Sequence, residues 1–172
     1  VQIIDQNHAA FEKRIQMIRS AKHSIELETY IFGSDLSSRI ILNELAARAR
    51  DGVKVRVLVD TQGAGPRLRG ANGIAEAVAG LGIDFRFFNR ASIINLPKIS
   101  YRDHRKIMVV DGGTANAQMI TGGRNIADAY FSMSDKHNYV DRDVYLRGQV
   151  SASAQRSFNK FWDSKYADLP NR

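Results

Sequence analysis

Tyr101-Arg102-Asp103-His104-Arg105-Lys106-Ile107-Met108-Val109-Val110-Asp111-Gly112 places a histidine, a lysine and an aspartate in the spacing H-x-K-x4-D, once in the chain. The apolar run up to Val110, closed by Asp111-Gly112-Gly113, predicts a strand from Arg105 to Val110. Side chains two apart in a strand share a face, so His104 and Lys106 project to one side while Arg105 and Ile107 project to the other. An imidazole beside an ammonium suits phosphodiester chemistry: the neutral ring attacks phosphorus and the cation neutralises the non-bridging oxygens. Asp111 completes the pattern and is counted with the candidate catalytic residues. Its parity is opposite to that of His104, however, so its expected work is structural, accepting backbone N–H groups in the turn or anchoring a basic side chain.

Working outward, Gly122-Gly123-Arg124-Asn125 follows a short strand (Gln118 to Thr121) and leads into a short helix through Tyr130. Two glycines allow close backbone approach, and the amides of a helix start make a phosphate site. Asn125 is expected as the N-cap, with Asp128 three residues on in a near capping-box pattern. Gly122, Gly123 and Arg124, with Arg102 from the basic run before the motif, are the candidate substrate-binding residues. Tyr139 to Arg147 alternates as a strand, with Asp141 and Asp143 facing away from Val140, Val144 and Leu146. A nucleophilic imidazole needs its other ring nitrogen held by a carboxylate, and one of these aspartates can supply that bond; a solvated edge is the plainer alternative. The motif has no neighbouring ligand set with metal spacing. His8, His23 and His137 read as surface or capping residues.

The remaining periodicity predicts helices over Asn7 to Ala21, Asp35 to Arg50, Ile74 to Ala79 and Gln149 to Ala167, and strands over Ser24 to Phe32, Val53 to Asp60 and Ile83 to Phe88. Asn89 to Tyr101 reads as a loop. Helix and strand alternate, which gives an α/β class with a mixed, mainly parallel sheet flanked by helices on both faces. The 172 residues suit one domain. No apolar run approaches the ~20 residues of a membrane-spanning helix, and the chain reads as soluble. No cysteine is present, which removes thiolate metal sites, disulfides and cysteine nucleophiles. Lys plus Arg number 25 against 18 Asp plus Glu, a net charge of +7 that attracts polyanions such as nucleic acid or anionic lipid headgroups.

The H-x-K-x4-D motif followed by Gly122-Gly123-Arg124-Asn125 resembles a half-domain of the phospholipase D superfamily. The flanking Tyr101 to Lys106 and Thr121-Gly122-Gly123-Arg124-Asn125-Ile126-Ala127-Asp128-Ala129-Tyr130-Phe131 are similar to the amino-terminal half of bacterial cardiolipin synthases. The likeness extends from near Phe11 to Phe161-Trp162-Asp163. It implies a phosphatidyltransferase or phospholipase working by double displacement, without metal or organic cofactor. His104 would form a phosphohistidine, Lys106 and Asn125 would hold the phosphoryl oxygens, and Asp141 would match the carboxylate that orients the histidine. The sequence departs from the family pattern in two places. Ala127 stands where a hydroxyl residue is common, and the link from Asp111 to Gly122 is longer than usual.

One histidine cannot serve as both nucleophile and general acid, since in-line displacement needs them on opposite sides of phosphorus. The missing half is expected from a second phospholipase D-like half-domain or from a homodimer mate. A start on Val1 without Met or a secretory leader, together with the cardiolipin-synthase likeness, favours the first. The expected partner is an anionic glycerophospholipid or membrane surface, with a peripheral membrane or cytoplasmic location. The alternative is a homodimeric endonuclease acting on nucleic acid.

Overall fold

The computed structural model describes residues 1–63, 78, 80–89 and 101–168. In chain order the elements are β1 (Gln2–Ile4), α1 (Asn7–Ser20), β2 (Ser24–Thr29), α2 (Leu36–Arg50), β3 (Lys54–Asp60), β4 (Ile83–Phe88), β5 (Ile107–Val110), β6 (Gln118–Gly122), a single 3-10 turn (Asp128–Tyr130), β7 (Asp143–Arg147), α3 (Val150–Trp162) and β8 (Ala167–Asp168). They form one sheet in the order β1-β7-β6-β5-β2-β3-β4-β8. The helix expected over 74–79, apart from Val78, and the loop over 90–100 lie outside the described residues.

The α/β class and the mixed sheet between helices are as expected from the sequence. The expected parallel majority is not. Only β2, β3 and β4 run parallel; β1 with β7, β7 with β6, β6 with β5, β5 with β2, and β4 with β8 are antiparallel. A parallel pair needs a crossover of a dozen or more residues, which α2 supplies between β2 and β3. The connection from β5 to β6 is only a tight loop over residues 111–117, so these strands return as a hairpin. That loop holds the extra length between the two motifs and leaves the register continuous, from Ile107 opposite Thr121 to Val110 opposite Gln118.

Strand parity sorts the two layers. Ile25, Leu27, Val55, Val57, Val59, Met108 and Val110 face α1 and α2, where Ala10, Phe11, Met17, Ile18, Ile41 and Leu45 complete the larger core. On the other face Leu58 and Phe88 meet Phe158 and Trp162 of α3, and Val109 and Met119 meet Ala154. α2 starts where the Asp35 carboxylate accepts the Ser38 N–H (3.3 Å), and it stops at Asp51-Gly52, with Gly52 at φ 85°. The carboxyl ends of β2, β3 and β4 open at the same edge of the sheet as the start of β5 and the end of β6. In open α/β sheets that edge is where ligands bind.

β1, with three residues, is too short to show a period and carries no sequence expectation; the last helix stops at Trp162 rather than Ala167, and Ala167 instead opens β8. β7 begins at Asp143, four residues later than expected, and of the residues before it Tyr139, Val140 and Asp141 border the site.

Candidate active site

A pocket of about 330 Å³ lies at that edge, lined by Tyr30, Ile31, His104, Lys106, Gly123, Asn125, Tyr130, Tyr139, Val140 and Asp141. Four of the expected catalytic residues therefore share one pocket. β5 begins at Ile107, two residues later than expected, so His104 and Lys106 stand on the segment leading into the strand; both line the pocket, while Arg105 turns to the α3 face and lies over the Phe161 ring, 3.6 Å from its centroid.

His104 is exposed, and its ring stacks on Tyr30 with centroids 4.0 Å apart and planes 24° apart. Among the described residues no side chain hydrogen-bonds the imidazole, so the expected clasp by an aspartate is not made in this state. The Lys106 Nζ donates to the His104 carbonyl (2.6 Å) and stands 5.5 Å from the centroid of the Tyr30 ring. Partial burial lowers the Lys106 ammonium below its ordinary range, while Asp103 and Asp141 pull it back up. The ammonium thus has an incentive to meet an anion.

Asn125 is buried, and it is not an N-cap. The 3-10 turn is capped at Ala127 without any side chain. Asn125 Oδ1 instead accepts the Ile31 N–H (2.9 Å) and the Thr29 hydroxyl (3.4 Å). The Ile31 donor fixes the amide orientation, which leaves Nδ2 as the group Asn125 offers to the pocket. The loop is fastened to the segment after β2 by Ile126 N–H on the Ile31 carbonyl (3.1 Å) and Gly33 N–H on the Ile126 carbonyl (2.7 Å). Asp128 makes no capping box with Asn125; its carboxylate takes the Ser37 N–H (2.7 Å) at the start of α2.

Asp141 is half-buried across the pocket, packed so closely on Gly123 that a Cβ there would collide with its carboxylate. Asp143 belongs elsewhere. It is fully buried and paired with Arg14 (2.9 Å) and Arg124 (3.3 Å), so it cannot serve the histidine. Two guanidiniums around one carboxylate leave a net positive charge beneath the pocket.

Three expectations for substrate contact are corrected by this packing. Arg124 is 1% exposed, and its guanidinium is consumed by the carbonyls of Ile4, Asp5 and Asp141 and by Asn7 Oδ1. Gly122 lies against Asp143 and the Arg142 carbonyl, where its missing side chain admits β7 rather than a ligand. Arg102 bonds Asp60 and the Asn89 carbonyl (both 3.4 Å) and lines a separate aromatic cleft with Phe88, Tyr101, Phe161 and Tyr166. Asp111 also lies away from the pocket. Its buried carboxylate accepts the N–H groups of Lys22, His23 and Ser24 (2.7–3.2 Å), tying the end of β5 to the turn before β2.

Tyr30, Tyr130 and Tyr139 line the pocket without any expectation from sequence. Tyr30 falls at the end of an alternating strand, and the other two lie 4.8 Å apart, centroid to centroid, on a segment read as helix and strand.

Residues 14–162 match the family described as cardiolipin synthase, phospholipase D-like domain. The chain is 31% identical over 168 residues to cardiolipin synthase C of Escherichia coli, covering 91% of this chain and 33% of that protein. It is 36% identical over 164 residues to a cardiolipin synthase of Staphylococcus aureus, covering 90% and 30%. It thus spans about a third of the length of the curated relatives it matches. The fold is similar to that of Nuc, a phospholipase D family member from Salmonella typhimurium, with a TM-score of 0.70, 21% identity, and 97% and 96% of the two chains covered.

Proposed function

The chain belongs to the family of cardiolipin synthase phospholipase D-like domains, and from that premise we propose that it forms one half of a phosphodiester-transfer site acting on glycerophospholipid headgroups. The observation that carries this reading is the convergence of His104, Lys106, the Asn125 amide and Asp141 on one pocket. His104 attacks phosphorus as neutral imidazole, the P–O bond to the leaving group breaks, and a phosphohistidine forms. Lys106 and Asn125 Nδ2 hold the non-bridging oxygens, where charge is greatest in the transition state. Asp141 takes the N–H of the other ring nitrogen once the imidazole leaves Tyr30 for phosphorus. The leaving alkoxide needs a proton from the far side, which a second phospholipase D-like half or a second copy of this chain supplies. Water or an alcohol then attacks the phosphohistidine and frees the ring.

Kinship to the two cardiolipin synthases supports a lipid substrate. The net charge of +7 favours one alternative, a homodimeric nuclease, since phosphate neutralisation dominates non-specific nucleic-acid affinity. The test exposes the chain, alone and mixed with a polypeptide carrying a second H-x-K motif, to phosphatidylglycerol vesicles labelled at phosphorus. The expected result is acid-labile label on His104 together with headgroup turnover, both absent in His104→Ala. Turnover that survives in His104→Ala sinks the reading. Salt-sensitive DNA cleavage lost in that variant, with lipid untouched, moves the conclusion to the nuclease.

A further inference from the structure

The reverse face of the motif carries a second ionic arrangement, in the layer under α3. Arg105 grips Glu28 of β2 with both arms of its guanidinium, Nε to Oε1 at 2.8 Å and Nη2 to Oε2 at 2.6 Å, and its Nη1 donates to Ser157 Oγ of α3 at 2.7 Å. The Arg105 N–H donates to Asp103 Oδ1 (3.1 Å), and the Asp103 N–H donates to Asp60 Oδ2 at the end of β3 (2.9 Å). His104 and Lys106 are therefore interleaved with two residues that are tied to β2, β3 and α3.

The charges of this trio do not balance if both acids are ionised. Glu28 and Asp103 are buried, with one half-buried guanidinium between them and the partly buried Lys106 ammonium as the other cation that Asp103 feels, so a second negative charge is costly there. Asp103 Oδ2 is buried with no hydrogen-bond partner, which leaves it as an acceptor for a protonated Glu28. Neighbouring charges on the same face are already matched: Glu26 with Arg56 (2.9 Å) and Asp60 with Arg102 (3.4 Å). Arg86 of β4 donates to the Trp162 carbonyl (2.9 Å), while Arg156 and Lys160 of α3 stand exposed.

We propose that Glu28 is held protonated beside the Asp103 carboxylate and that the two, through Arg105, act as positioning residues that fix the reach of His104 and Lys106 into the pocket. The inference rests on His104 and Lys106 being the reacting pair. With the proton in place the trio is neutral, Arg105 stays in its bidentate grip, and the segment 103–106 is held from behind. Loss of the proton sets two carboxylates against one guanidinium and loosens the segment that carries the nucleophile. Burial first, and then the Asp103 carboxyl, push Glu28 up to about 9 against the pull of Arg105, so this release belongs to the alkaline range.

Glu28→Gln separates positioning from mere structure. Its amide can donate to Asp103 and accept from Arg105, which mimics the protonated acid and removes the titration. The His104 ring proton resonance, assigned by its disappearance in His104→Ala, should show an alkaline step near pH 9 in the wild type that is missing in Glu28→Gln, where only the titration of Lys106 remains. Turnover should follow suit: Glu28→Gln keeps kcat near neutrality and loses the part of the alkaline decline that belongs to Glu28. Glu28→Ala, if it folds, should lose about 10²-fold in kcat, because a nucleophile misplaced by about 1 Å forfeits that much. An unchanged alkaline step in Glu28→Gln, or a wild-type His104 resonance flat through that range, overturns the proposal. The resonance needs no turnover, so a failed functional reading would leave this result standing on its own.

Discussion

Asn125 shows how little of a residue's role its type reveals. In sequence it reads as an N-cap, because asparagine after glycines and before a helix usually is one. In the fold its oxygen is committed to Ile31 and its nitrogen is left for the pocket. Asn125→Asp keeps the acceptor for Ile31 and replaces the donor with a negative charge. Because Asn125 is buried, the new charge should also lower thermal stability by about 1–3 kcal/mol, while kcat/KM of the folded fraction should fall by about 10²- to 10³-fold, the usual cost of losing one donor to a developing oxyanion. A variant as active as the wild type would remove Asn125 from the cradle. Arg124 teaches the reverse lesson. An arginine in a glycine loop beside a candidate phosphate site reads as a ligand, yet its partners Ile4, Asp5 and Asn7 lie more than a hundred positions away in sequence. No local pattern could show that its charge was already spent. His104 and Lys106 were legible because period-two parity needs no distant partner.

At the scale of elements, the hairpin of β5 and β6 and the β2-α2-β3 crossover decide where the chemistry sits. Their existence was readable from alternation and from the Asp-Gly stops. The direction of pairing was not, because it depends on which distant strand each one meets. Asp111 is the joint between these two pieces: its carboxylate receives three backbone N–H groups of the turn before β2. Asp111→Ala leaves those donors without their acceptor in a part-buried turn, and denaturant unfolding should show a loss of about 3 kcal/mol. The folded fraction should retain its turnover per molecule, since Asp111 does not line the pocket. A turnover loss exceeding the loss of fold would place Asp111 among the reacting groups after all.

Across the whole molecule, Asp143 is the knot. It joins Arg14 of α1 to Arg124 of the glycine loop from its own place at the start of β7, so elements from both ends of the sequence meet on one carboxylate. Asp143→Asn leaves two buried guanidiniums without a counter-charge, and calorimetry should register a stability loss of about 3–5 kcal/mol. A variant that melts with the wild type would mean that solvent reaches this cluster.

The short strand β1 has a practical consequence. Family similarity begins at residue 14, which invites trimming the chain there to obtain a minimal unit. Such a trim would keep every motif residue and still remove the Ile4 and Asp5 carbonyls and the Asn7 side chain that hold Arg124, which in turn holds the Asp141 backbone. The shortest polypeptide that preserves the pocket is therefore longer than the stretch by which its kinship is recognised, and its boundary belongs before Gln2.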